Sequence, residues 1–303
     1  MTTIEAPEWK RWVPSVPVLC AWGILLAVFA WTYLGTLQWL WSKWLHEPDY
    51  GHGFFVPIFS LFLLWYRRDM VASAPLKGLW WAALPLFLLS GLIRWAAIYF
   101  NFSIDHYSLF PLLLGLTLLL GGWRGLHWAW PSIFFLVFMV PLPGAMAILL
   151  GRHLQTIATA ASIYVIQTLG IAAVAQGNQI QLAAQTLEVA DACSGIRMLM
   201  LFFAVCVGAA LVMRRPLWEK AVIVVSAVPI AIISNVARIT VTAIISDLFG
   251  ETCANFVHDY AGWAMMPLAM AILWGEVLLI SKLLYEPPSE VLLTLEDTSA
   301  VAR

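Results

Sequence analysis

The chain has 303 residues, of which 62% are hydrophobic and only 11% charged, with a formal net charge of −1 and a mean hydropathy of +0.86. A soluble domain carries roughly a quarter charged residues, so the composition excludes an ordinary soluble protein, and the lack of a basic excess argues against a nucleic-acid binder. The four cysteines, Cys20, Cys193, Cys206 and Cys253, fit neither a disulfide framework nor paired zinc spacing.

Lys10 and Arg11 precede a long apolar run that is not followed by a small-x-small cleavage site, so this run reads as a retained signal anchor. A membrane-crossing helix needs about 20 mostly apolar residues, with ~17 as the lower limit. Runs at 16–40, 53–66, 79–100, 107–121, 126–142, 195–213, 217–248 and 261–284 meet or approach that length. The second, fourth and fifth are short. Many of the 17 Trp stand at the ends of these runs, as interfacial belts require. The expected fold is an all-α integral membrane protein of about eight transmembrane helices, one polytopic domain over residues 1–285.

Basic residues set the orientation. Lys10, Arg11, Arg67, Arg68, Lys77, Arg124, Arg214, Arg215, Lys220 and Lys282 fall on one side if the chain starts inside and 145–192 stays outside. Glu47, Asp49, Asp105, Glu188, Asp191, Glu251 and Asp259 then face outward. Both termini are expected in the cytoplasm.

The segment 145–172 is long enough to span, yet carries Arg152, His153, Gln155, Ser162 and Gln167. Leu150, Leu154, Ile157, Ala161 and Tyr164 recur at helical spacing, which predicts an amphipathic helix on the outer surface. Alternation at 178–182 and 186–189 predicts a small external β-hairpin. The polar tail 286–303, with Pro287 and Pro288, is expected to be a disordered cytoplasmic end.

Three reactive residues then reach one membrane level. Cys193 stands just before the sixth run, at its outer end. Arg238 lies about 20 residues into the seventh, ~30 Å at 1.5 Å per residue, or one hydrocarbon thickness. His258 opens the eighth run on the same side. A helix N-terminus favours the nucleophilic thiolate, His can move a proton, and a guanidinium can hold a developing oxyanion. Together they suit acyl transfer. Each also has a plainer reading: Cys193 as a packed residue or a disulfide partner of Cys253, Arg238 as a snorkelling anchor, His258 as a helix cap. An ionisable residue inside an apolar run is expensive, which makes Arg238 the hardest to dismiss.

The stretches Asp191-Ala192-Cys193-Ser194-Gly195-Ile196-Arg197, Asn235-Val236-Ala237-Arg238-Ile239 and His258, with the earlier Glu47-Pro48-Asp49-Tyr50-Gly51-His52-Gly53-Phe54-Phe55-Val56-Pro57, resemble the exosortase/archaeosortase family from about Trp39 to Leu284. The resemblance implies a multi-spanning cysteine protease or transpeptidase of the inner membrane, linked to protein sorting and to exopolysaccharide and envelope biogenesis. Its substrates would be membrane-anchored proteins with a C-terminal sorting signal, such as a Pro-Glu-Pro motif followed by a spanning helix and a basic cluster. Its catalytic Cys, Arg and His map onto Cys193, Arg238 and His258, acting on the outer face without metal or cofactor. A lipid or glycan is a further partner to be considered, as acceptor.

Five other residues are candidates for substrate binding. His52 lies in an outer loop, and Asn235 sits one turn before Arg238. Arg94, Arg152 and Arg197 lie near the outer face, against the inward bias of basic residues, where they either receive a substrate carboxylate or pair with outer acids. The alternative class is a polytopic transporter or lipid-linked glycan-processing protein that binds an anionic group with Arg238. Against it, no inverted repeat is evident. Neither His-Glu-x-x-His nor Gly-x-Gly-Asp occurs, which disfavours zinc and aspartyl intramembrane proteases.

Overall fold

The computed structural model describes residues 16–72, 77–100, 104–177, 179–182, 186–188 and 196–283. The tail 286–303 therefore lies outside the described residues. Helix α1 (Val16–His46) leads through a 3₁₀ turn (Pro48–Phe54) into α2 (Phe55–Tyr66), the four-residue α3 (Asp69–Ala72) and α4 (Trp80–Phe100). A 3₁₀ turn (Asp105–Ser108) precedes α5 (Leu109–Phe135), and another (Leu136–Met139) precedes α6 (Gly144–Thr168). Strands β1 (Ala173–Gln176), β2 (Gln179–Leu182) and β3 (Thr186–Glu188) follow, then α7 (Ile196–Val212), α8 (Leu217–Phe249) and α9 (Glu251–Leu283).

Helix α4 shows how these helices meet their surroundings. Its buried residues are Ala83, Ser90 and Ala97, two turns apart, while Trp80, Trp81, Leu88, Leu92, Trp95 and Ile98 are exposed. Small residues face inward and large apolar ones outward, the arrangement of a helix solvated by lipid. A water-soluble protein does not present so continuous an apolar surface. Among the described residues, three segments are long and apolar enough to cross a membrane: Trp80–Phe100, Asp105–Met139 and Leu217–Phe249. That is fewer than the eight runs read from the sequence. Met198–Val212 of α7 is apolar but shorter. The run expected at 53–66 is cut by the 3₁₀ turn, leaving α2 with 12 residues, about 18 Å.

Within α5 the chain reverses. Gly122 has φ 59 and ψ −153, which no helix contains. The Tyr107 hydroxyl donates to the Pro141 carbonyl at 3.4 Å, so 109–121 and 123–135 are the two arms of a hairpin. This explains why the sequence showed two short runs here.

The arms also sort charge. At the turn, Arg67 donates to the His127 carbonyl at 3.0 Å, and the Leu79 amide donates to the Leu118 carbonyl at 2.8 Å. Arg67, Lys77 and Arg124 are thereby gathered at one end of this half. At the other end Thr36 donates to Asp105 at 2.9 Å, and Trp44 Nε1 to the Met139 carbonyl at 2.8 Å. The acidic loop 47–49 belongs to this second end.

Helices α7, α8 and α9 pack consecutively on one another, and α6 packs on α8. The small sheet is antiparallel in the order β1-β2-β3. Its β2–β3 pairing, with Ile180 opposite Leu187, is the expected hairpin. Strand β1 is an addition that the sequence did not reveal, because of its residues only Ala173 is buried.

The face that α6 buries also differs from expectation. Leu150, Ile157 and Tyr164 of the predicted stripe are exposed, whereas Gly151, Leu154, Gln155, Ala158, Thr159, Ser162 and Ile166 face inward. Three residues of the apolar stripe thus point away from the protein, while Leu154 of the same stripe packs inward.

Candidate active site

Helix α8 changes character along its length. It starts after Pro216, runs 33 residues, or about 50 Å, and ends at Gly250, whose φ is 82. That exceeds the ~30 Å hydrocarbon thickness by about 20 Å. The first half buries Ile223, Ala227, Ile230 and Ala231 against Met198, Phe202 and Cys206 of α7 and Ala269 and Leu273 of α9. The second half buries Ser234, Asn235, Arg238, Thr240, Thr242 and Ser246. Ile239 and Ala243 in this half pack with Ala158 and Ile166 of α6 and with Ile180 and Leu182 of β2.

Arg238 is only 5% exposed and Asn235, one turn before it, 2%. Burying a guanidinium costs several kcal/mol of lost hydration unless the surroundings return it. The surroundings are correspondingly polar. On α6 the buried face carries Gln155, Thr159 and Ser162. The hydroxyls of Thr159, Ser162, Ser234, Thr240, Thr242 and Ser246 are buried and bond no described group. Elsewhere Thr156, Thr168 and Ser226 satisfy themselves on their own helix carbonyls. The buried faces of α6 and of the second half of α8 thus hold polar capacity that packing alone does not require.

The α8–α9 hairpin sets the height of His258. Arg238 precedes Gly250 by twelve residues and His258 follows it by eight. Across an antiparallel helix pair, that four-residue difference is about 6 Å along the axis. The comparison concerns backbone level; the His258 side chain lies outside the described residues, as does that of Arg197 in the first turn of α7. Cys193 also lies outside them, three residues ahead of Ile196, the first residue of α7. Cys253 is exposed and its thiol is free.

His52 belongs to a neighbouring wall. Its Nε2 meets the Phe138 carbonyl at 3.1 Å, and burial holds its pKa below the ordinary imidazole value, against the opposing pull of backbone hydrogen bonds. A Cβ at Gly53 would collide with Trp44 Nε1, so the Gly-His-Gly turn needs its second glycine for this indole to pack. An apolar cavity of about 650 Å³ reaches from His52 and Phe59 to Leu201, Ala204 and Gly208 of α7. His52 is in this way brought to α7.

Arg94 and Arg152 do not join it. Arg94 donates to the Thr32 carbonyl of α1 at 2.5 Å, and Arg152 is exposed on α6. The sequence missed Gln155, Thr159, Ser162, Ser234 and Thr242; the available signal was the recurrence of small and polar residues opposite the apolar stripe of α6.

Residues 44–275 match the family model described as transmembrane exosortase. The chain belongs to the transmembrane exosortase family. The match covers most of this exosortase and contains His52, Arg94, Arg152, Cys193, Arg197, Asn235, Arg238 and His258. No curated protein and no solved structure matches the chain.

Proposed function

We propose that this exosortase is a membrane-embedded cysteine endopeptidase or transpeptidase that cleaves a C-terminal sorting signal of exported proteins at the outer face of the inner membrane. Both termini lie in the cytoplasm, with the gathered cations Arg67, Lys77 and Arg124 facing it. The observation that carries the reading is the burial of Arg238 in the polar seam of α8, at the backbone level of His258 across the Gly250 turn.

The Cys193 thiolate attacks the scissile carbonyl, forming a C–S bond and a tetrahedral oxyanion. Arg238, oriented by Asn235, stabilises that charge where water is scarce. His258 delivers a proton to the amine as the C–N bond breaks, leaving a thioester on Cys193. Water, or a nucleophile on a lipid or glycan, then attacks the thioester and gives up a proton to His258, and the thiolate is released. His52 lines the path by which the substrate's spanning tail reaches α7, and Arg197 receives its polar groups.

The test is processing of a co-expressed protein bearing a sorting signal. Cys193→Ala abolishes cleavage and Cys253→Ala preserves it. Arg238→Lys keeps the charge but loses the planar fork, and slows cleavage by roughly 10²–10³-fold at equal protein level. Near-normal processing by Arg238→Lys would make Arg238 an anchor and remove it from the chemistry.

A further inference from the structure

A second cation, the half-buried Arg94, stands outside the chemistry just described. Arg94 lies six residues before the end of α4, about 9 Å along the helix. One guanidinium nitrogen, Nη2, donates to the Thr32 carbonyl, and the group stacks 4.9 Å from the centre of the Tyr33 ring. The other, Nη1, is buried and bonds no described group. The carboxylate of this region, Asp105, accepts from Thr36 at 2.9 Å and lies 3.7 Å from His106, and no described carboxylate pairs with Arg94. An arginine that only snorkels extends toward the headgroups; this one is turned sideways onto α1. Tyr33 is itself fixed, through hydroxyl contacts to Ser108 at 2.9 Å and Ser90 at 3.3 Å.

The guanidinium borders a cavity of about 380 Å³ between α1, α4 and α5. Thr32, Tyr33, Ser90 and Arg94 supply its polar lining, and the remainder is apolar, as at Phe87 and Leu116. Val28 and Gly91 line the cavity and are exposed, so it opens sideways onto the lipid-facing surface. A cation that no described carboxylate neutralises, beside an apolar chamber open to the bilayer, fits an amphiphile with an anionic head.

We propose that this cavity binds one membrane lipid through its phosphate, with Arg94 Nη1 donating to a phosphate oxygen and an acyl chain lying along the apolar lining. A substrate carboxylate is a poorer fit, because α4 lies away from the α7–α9 helices that carry the proposed chemistry. The proposal is independent of that chemistry and concerns binding alone.

The test is native mass spectrometry of the full chain in neutral detergent, titrated separately with phosphatidylglycerol, phosphatidylcholine and inorganic phosphate. One phosphatidylglycerol is expected to be retained at roughly a tenth or less of the phosphatidylcholine concentration, because the choline cation of phosphatidylcholine already neutralises the phosphate that Arg94 would meet. Arg94→Gln removes the preference and Arg94→Lys keeps part of it. Gly91→Leu lowers retention with Arg94 intact, since a Cβ at Gly91 meets nothing within 4 Å and the side chain enters open space. If Arg94→Gln does not fold, Gly91→Leu decides the matter alone. Equal retention of the two lipids, or unchanged phosphatidylglycerol binding in both Arg94→Gln and Gly91→Leu, overturns the proposal. Tight binding of inorganic phosphate alone replaces a lipid site with an ion site. Arg94-dependent binding of a sorting-signal peptide carboxylate, without lipid retention, makes it a substrate site instead.

Discussion

The Tyr107 hydroxyl reaches the Pro141 carbonyl at 3.4 Å, although 34 residues separate them. A straight helix between them would hold them about 50 Å apart. The reversal that brings them together rests on Gly122, whose φ and ψ lie where side chains are strongly disfavoured. A Cβ there would also collide with the Lys77 carbonyl oxygen. Gly122→Ala should therefore destabilise the protein by at least about 1–3 kcal/mol and lower its unfolding temperature in detergent. Gly144→Ala, where a Cβ meets nothing within 4 Å, is the control. Equal melting of the two variants would remove Gly122 as the constraint on the hairpin.

The unsatisfied buried hydroxyls of α6 and α8 separate stability from function. An unpaired buried hydroxyl costs about 1–3 kcal/mol of desolvation, so Ser162→Ala and Thr242→Val should leave stability unchanged or raise it. If these groups serve a bound substrate, the same changes slow processing. Loss of stability with intact processing would make these hydroxyls structural. The two readouts, melting temperature and cleavage rate, move in opposite directions only under the proposed role.

His52 gives a pH signature. Burial lowers its pKa in the folded protein, so the fold favours the neutral ring. Above about pH 6.5 the folded and unfolded chains both hold it neutral. As pH falls below that, the unfolded chain binds the proton first, and stability is lost progressively until the folded state also titrates. His52→Gln should flatten the decline in melting temperature between about pH 7 and pH 5 relative to wild type. Parallel pH profiles for the two proteins would contradict this assignment.

Composition made the membrane class legible, and the gap between the runs at 107–121 and 126–142 fell where α5 divides. The inward face of α6 was not legible for a physical reason. In water an apolar stripe at helical spacing finds the core, whereas beside lipid it can face outward and leave small and polar residues to pack. Leu150, Ile157 and Tyr164 therefore led away from Thr159 and Ser162. Arg238 was legible because a permanent charge is rare in an apolar run. The buried hydroxyls of α6 and α8 were not, since Ser and Thr occur in membrane helices for several reasons.

The account depends most on a covalent bond at Cys193. Substrate bearing a sorting signal, incubated with membranes containing the exosortase and quenched in acid, should yield an enzyme–substrate conjugate that hydroxylamine releases, with the thioester mapped by mass spectrometry to Cys193. Cys193→Ala should give neither the conjugate nor the cleaved product. Cleavage that persists in Cys193→Ala, or a conjugate mapped to Cys253, would contradict the account.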